Sequence, residues 1–423
     1  MSPCACDSIP QQLIPDAARI RPGVPLDPDA ATRAYLATVP VDLRARSDAY
    51  TEGGYWIQLW GTLLGAAILI LLLRTGWSRR FRDWTERWSR WRLIRAFLYY
   101  ALFTLSVTIL SFPFTAYSGF VREHAYRLAT QSFGGWLRDQ AVGLGVSLVL
   151  GGIAVAVLYE VLHRFPRAWP TLGAAVAMGF VVVAVLIFPI FIAPLFNRYT
   201  LLTDARIRDP ILRLAHANGI AADRVYVMDA SRQTTRISAN VSGLLGTERI
   251  TLNDNLLRRA SQPEIESVMG HEMGHYVLRH VYQGLVFFAL VIALGFALLR
   301  TGYAWAEGRW GARWGLRGID DPAGLPLLSL IFTLYFFLLT PLLNTYVRTN
   351  EAAADIFGLN AARQPDGFAL IALKLAEYRK LDPGPLEELL WYDHPSGRAR
   401  IRVAMQWKAA ELQPGEAGAR PHE

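Results

Sequence analysis

The sequence predicts an α-helical integral membrane protein of about six transmembrane helices, carrying a soluble insert with a small β-sheet. Three observations lead there. Composition is 52% hydrophobic against 18% charged, with a mean hydropathy of +0.23. Six stretches contain no Asp, Glu, Lys or Arg: residues 55–73, 96–121, 140–159, 168–197, 281–299 and 322–347. Each is close to, or longer than, the roughly 20 apolar residues that cross a bilayer. One of them, 140–159, could be a buried core helix, but six together could not. Between the fourth and fifth, residues 198–280 have the mixed patterning of a folded soluble unit.

In chain order, residues 1–54 read as an N-terminal tail rich in Pro and polar residues, with a short helix at 31–38. It holds no apolar run resembling a signal peptide. Cys4 and Cys6 fit no zinc spacing, sit too close for a comfortable disulfide, and receive no role. Residues 55–197 form a four-helix membrane region. The loop after its first span carries Arg74, Arg79, Arg80, Arg82, Arg87, Arg90, Arg92 and Arg95 among Trp77, Trp84, Trp88 and Trp91. Arg beside lipid phosphate and Trp at headgroup depth are interfacial chemistry. Such loops account for most of the net charge of +8 and the pI of about 9.6, so membrane lipid is an expected partner and nucleic acid is not.

The insert, 198–280, opens with a helix-like stretch at 207–218 ended by Gly219. A short β-type run follows at 225–228, then a turn at 243–246 and a second strand at 247–252. Ser261-Gln262-Pro263-Glu264 is a capping box, Ser at the N-cap and Glu at N3. Two spans occupy 281–347, and 348–423 form a C-terminal catalytic segment and tail. No low-complexity segment or internal repeat is evident.

The capped helix carries His271-Glu272-Met273-Gly274-His275. Positions i and i+4 share a helix face, so both imidazoles can reach one ion, with Glu272 placed to take a proton from water. This is the H-E-x-x-H pattern of zinc metalloproteases. A third ligand must return to the same side of the membrane. Two spans separate His275 from the C-terminal segment, which therefore does return. Glu351 lies one turn beyond the sixth apolar run and Asp355 one turn further on the same face. Glu351 is the expected third ligand, and Asp355 the group that holds a histidine's free ring N–H. The reading is a zinc-dependent membrane endopeptidase with one Zn²⁺ per chain. The alternatives are a metal-binding membrane transporter, for which Glu160 and His163 would speak, and a non-catalytic membrane scaffold, against which intact Glu272 argues.

These residues resemble the integral-membrane zinc metalloproteases of the type I CAAX prenyl protease family, with HtpX-type proteases more distant. The likeness rests on Ile192-Ala193-Pro194-Leu195-Phe196-Asn197-Arg198-Tyr199-Thr200, on His271–His275, on Glu351-x-x-Ala354-Asp355, and on Asp393-His394-Pro395 with Arg400 six residues after the His. It covers roughly residues 55–403. The resemblance implies helices around a chamber, a zincin-like catalytic insert, and His394 and Arg400 lining the site to stabilise the tetrahedral intermediate. It also implies that Asn240, within Ser238-Ala239-Asn240, binds substrate beside an edge strand. Six spans are found where eukaryotic members have seven, and the missing one is the first. The implied substrate is a peptide or protein, membrane-associated or lipidated. The implied location is an integral membrane one, the inner or plasma membrane in a bacterium. Loop Arg places the catalytic face outside; the family places it in the cytoplasm, and that orientation is preferred.

Overall fold

The computed structural model describes residues 8–242 and 248–412. Cys4, Cys6, the expected turn at 243–246 and Thr247 lie outside the described residues.

Among the described residues, six helices are long and apolar enough to cross a membrane. A short α1 (Pro28–Ala37) leads into the first, α2 (Val41–Arg74). An interfacial α3 (Trp77–Trp88) precedes α4 (Arg92–Ala125), and α5 (Phe133–Arg164) and α6 (Trp169–Phe196) complete the first four. Their directions alternate. The connections 75–91, 165–168 and 315–321 therefore share the face opposite the insert, and Arg82–Asp321 and Arg317–Glu86 ion pairs tie the first of them to the last. Leu73, Phe81, Tyr99, Leu162, Leu299 and Tyr303 form an apolar core at that end.

Arg82 departs from the interfacial reading of its loop. Its side chain is only 4% exposed and its Nη1 donates to Asp321 Oδ2 at 2.7 Å and to the Gly315 carbonyl at 2.9 Å. It is a buried structural cation, compensated as buried charges must be.

The insert packs helices on a four-stranded sheet. In order come β1 (Tyr199–Leu201), α7 (Ala205–Ala217), β2 (Val225–Met228), β3 (Ala239–Ser242), β4 (Arg249–Asn253), a short α8 (Asp254–Arg259) and α9 (Gln262–Val277). Strand order is β1-β2-β4-β3. β2 and β4 run parallel, with Val225 opposite Ile250, while β1 and β3 are antiparallel to their neighbours. Two strands fall on the expected runs. β1 and β3 alternate apolar and polar residues but are only three and four residues long, too short for periodicity to single them out. Ile207, Ile211, Val225, Ile250, Leu252, Ile265, Met269 and Met273 form the insert's core.

The last two spans are α10 (His280–Trp314) and α11 (Pro322–Ala362), followed by α12 (Pro365–Lys374), α13 (Pro385–Trp391) and α14 (Gly397–Glu411). The N-terminal segment expected as a tail is folded onto this C-terminal group. Ile14, Ala18, Leu26, Tyr35 and Leu36 are buried with Phe368, Ile401 and Met405. Lys408 Nζ donates to the Ala18 carbonyl at 2.7 Å. Helix α2 also begins at Val41, well before the apolar run at residue 55. Its charged first half precedes the apolar run, where a hydropathy window cannot see it.

Candidate active site

Ser261 and Glu264 set where α9 begins. Glu264 Oε2 accepts from the Ser261 backbone N–H and from its hydroxyl, both at 2.7 Å. Ile265, Met269 and Met273 recur every fourth residue and are wholly buried in the insert's core. His271 and His275 share a different face, turned toward α11.

Small residues bring α11 close. Gly270 and Gly274 on α9 lie against Ala354 and Gly358 on α11. A Cβ on Gly358 would fall 2.7 Å from the His271 backbone nitrogen, and one on Gly274 would fall 3.1 Å from the Ala354 Cα. The helices thus cross at backbone contact, which carries Glu351 and Asp355 to the imidazoles.

The resulting cluster is tight. His271 Nε2 and His275 Nε2 are 3.2 Å apart. Glu351 Oε2 is 3.2 Å from His271 Nε2, and Oε1 is 3.4 Å from His275 Nε2. A tetrahedral ion with ligand bonds of about 2.0–2.1 Å sets its ligand atoms roughly 3.3–3.4 Å apart. The three side chains fit that requirement. Glu351 Oε2 is buried and has no hydrogen-bond partner among the described residues, although His271 and His394 nitrogens approach to 3.2 and 3.3 Å. Such an orphaned oxygen calls for a further partner, and a cation supplies one.

Outer partners orient the imidazoles. His271 Nδ1 donates to Asp355 Oδ1 at 2.7 Å, leaving Nε2 free to ligate. His275 Nδ1 lies 2.9 Å from His280 Nδ1. A His275 that offers Nε2 carries its proton on Nδ1 and gives it to His280. Sequence reading missed His280; its sign was a third histidine five residues beyond His275. Asp355 is itself gripped by Arg400, whose Nε and Nη2 donate at 2.9 and 2.5 Å.

Charge is finely divided. Burial pulls His271 down, but the Asp355 hydrogen bond and the neighbouring Glu351 carboxylate outweigh it and hold it at about 9. Burial and the charge on His271 lower His275 to about 4. A bound cation would displace the His271 proton. Burial pushes Glu272 up to about 7 against the pull of His271, and its carboxylate is unpaired among the described residues. Such a group is poised to exchange protons near neutral pH.

A cleft of about 200 Å³ opens onto these groups. Glu272, Glu351, His394 and Arg400 line it, with Ala239 of the edge strand β3 and Ser238 just before it. His394 Nδ1 lies 2.8 Å from Asp393 Oδ1. Arg400 also lines the cleft, with two of its nitrogens committed to Asp355. Asn240 lies on β3, exposed and outside the cleft lining; the residues of its segment that reach the cleft are Ser238 and Ala239. Tyr378 and Arg379 also line the cleft, and no motif announced them.

Residues 201–408 match the profile of peptidase family M48, and residues 34–198 match that of the CAAX prenyl protease N-terminal region of five membrane helices. The CAAX prenyl protease 1 homolog of Oryza sativa subsp. japonica is 30% identical over 298 residues, which is 68% of either chain. The chain belongs to the type I CAAX prenyl protease family. Among other relatives in this similarity, an uncharacterized metalloprotease of Bacillus subtilis, YhfN, is 29% identical over 85% of both chains. CAAX prenyl protease 1 of Saccharomyces cerevisiae is 28% identical over 70% of this chain and 68% of that one. The crystal structure of S. mikatae Ste24p shares the fold, with a TM-score of 0.74 at 22% identity over 87% of this chain and 89% of that one.

Membership of the type I CAAX prenyl protease family makes this an integral-membrane metalloendopeptidase acting on peptide or protein substrates; transport and scaffolding are not favoured. Its six helices surround a chamber. Only 0–22% of the most apolar stretch of each helix is buried within the protein, which leaves most of it to face lipid or the chamber. Where the N-terminal profile describes five membrane helices, residues 34–198 of this chain hold four able to span.

Proposed function

We propose that this protein hydrolyses peptide bonds using one zinc ion held by His271, His275 and Glu351. The observation that carries the reading is the packing of these three donors at near-tetrahedral spacing around a buried Glu351 oxygen without a hydrogen-bond partner. When bound, the ion supplies Lewis acidity, lowering the pKa of water to about 7 and polarising the scissile carbonyl. Glu272 takes the proton of the attacking water and passes it to the departing nitrogen as the C–N bond breaks. His394 Nε2 donates to the developing oxyanion. Asp355 holds His271 in the ligating tautomer, and Arg400 holds Asp355. Substrate adds as a strand to the free edge of β3, with Asn240 on the strand's exposed side. The substrates are segments of membrane-associated or lipidated chains that reach the cleft beside the membrane.

The test is elemental analysis of purified protein, followed by peptide cleavage with and without a chelator. About one zinc per chain and chelator-sensitive cleavage are expected. Protein that cleaves at full rate after metal is stripped would overturn the assignment.

The catalytic face is assigned to the cytoplasm on the orientation of the family, against the concentration of loop Arg on the opposite face. Reporter fusions after Gly315 and at the C-terminus should give opposite signals, with the C-terminal one cytoplasmic. An external C-terminal signal would reverse the assignment.

A further inference from the structure

The active-site cleft contains two guanidinium groups in very different states. Arg400 is only 8% exposed and held to Asp355 through its Nε and Nη2. Arg379 is half-buried in the cleft lining and makes no hydrogen bond or ion pair among the described residues. Its surroundings explain why it is left over. The neighbouring Glu377 is taken by Arg259. Lys380, on the other side, binds Glu52 and Glu387. Asp393 lies within range of its field but is bound to His394 Nδ1 at 2.8 Å instead. What remains near Arg379 is the Tyr378 ring, 6.0 Å from its guanidinium carbon.

A planar fork of five donors in a partly desolvated cleft is suited to a carboxylate, which it can bind bidentately. The acids of the cleft cannot serve: Glu351 and Glu272 belong to the metal and proton chemistry, and Asp355 is enclosed by His271 and Arg400. The partner must therefore come with the substrate. We propose that Arg379 is a specificity determinant that anchors a substrate carboxylate, either an acidic side chain near the scissile bond or the C-terminal carboxylate of a short peptide. This deepens the peptidase reading and rests on it. The anchor works in the ground state as well as in the transition state, so its effect falls mainly on KM.

The test uses full-length protein in detergent or nanodiscs and matched quenched peptides. One pair differs as free acid against C-terminal amide, and a second as Glu against Gln at one position beside the cleavage site. For whichever pair carries the anchor, the parent should favour the acid by about ten- to hundredfold in kcat/KM. The pair that responds identifies the source of the carboxylate. Arg379→Ala should bring that ratio to about one, and Arg379→Glu should invert it. The same pairs are also titrated against Glu272→Gln protein, where binding is read without hydrolysis. No acid preference in either pair by the parent, or a preference unchanged in Arg379→Ala, would overturn the anchor. Acid preference in binding with no hydrolysis by the parent would instead overturn the peptidase reading and leave the anchor standing.

Discussion

Asp355 Oδ1 accepts a hydrogen bond from His271 Nδ1 at 2.7 Å, one helical turn beyond Glu351. The spacing lets one face of α11 supply both a proposed ligand, Glu351, and the support for another, His271. Asp355→Asn should keep the shape and weaken the acceptor. Metal affinity should fall about 10- to 100-fold, the range for loss of such outer partners. Chelator competition measures it, and parental affinity in the variant would remove Asp355 from the site.

Arg400 closes the same chain from the other side. Its side chain is 9% exposed and that of Asp355 4%. Removing one partner of a buried ion pair leaves a charge uncompensated and costs about 3–5 kcal/mol. Arg400→Ala should therefore lower thermal stability as well as activity, and Arg400→Lys should recover only part, since an ammonium cannot reproduce the fork. Lost activity at unchanged melting temperature would show that Arg400 acts on substrate and not through Asp355.

Much of this was legible in the residues, and the reasons differ. Six spans were readable because hydrocarbon thickness demands uninterrupted apolar length. The candidate site, His271, His275 and Glu351 brought together, was readable because one helix had to hold the two histidines a turn apart, and membrane topology then left few places for a third donor. The capping box placed that helix independently. What stayed hidden depends on distant contacts. Ile14, Ala18 and Leu26 show no periodicity, yet they are buried because α12 and α14 happen to lie under them. Arg82 looks like its seven loop neighbours until Asp321 folds onto it. Arg379 has no motif because its distinction is the absence of a partner, which only a packed neighbourhood can reveal.

Glu272→Gln tests the proton transfer alone. The amide is nearly isosteric and cannot accept the water's proton. None of the three proposed ligands is altered. Zinc content should match the parent while kcat falls about 10²- to 10⁴-fold. Cleavage at the parental rate would remove Glu272 as the base.

Gly358→Ala probes the crossing of α9 and α11 that assembles the site. The added Cβ would lie 2.7 Å from the His271 nitrogen and 3.0 Å from its Cα. Both are backbone atoms of a helix buried on its other side by Met269 and Met273, so neither can move aside cheaply. The helices must separate by some tenths of an ångström, and His271 must draw away from Glu351 and Asp355. Overpacking of this kind costs about 1–3 kcal/mol. Unlike a ligand substitution, it removes no donor. Gly358→Ala should therefore still bind zinc, but more weakly than the parent, and melt at lower temperature. Gly65→Ala, at a helical position in α2 with open space around it and no left-handed backbone, serves as the control for replacing glycine. Calorimetric zinc titration beside thermal melting decides the matter: parental values of both in Gly358→Ala would mean that the close crossing does not set the geometry of the site.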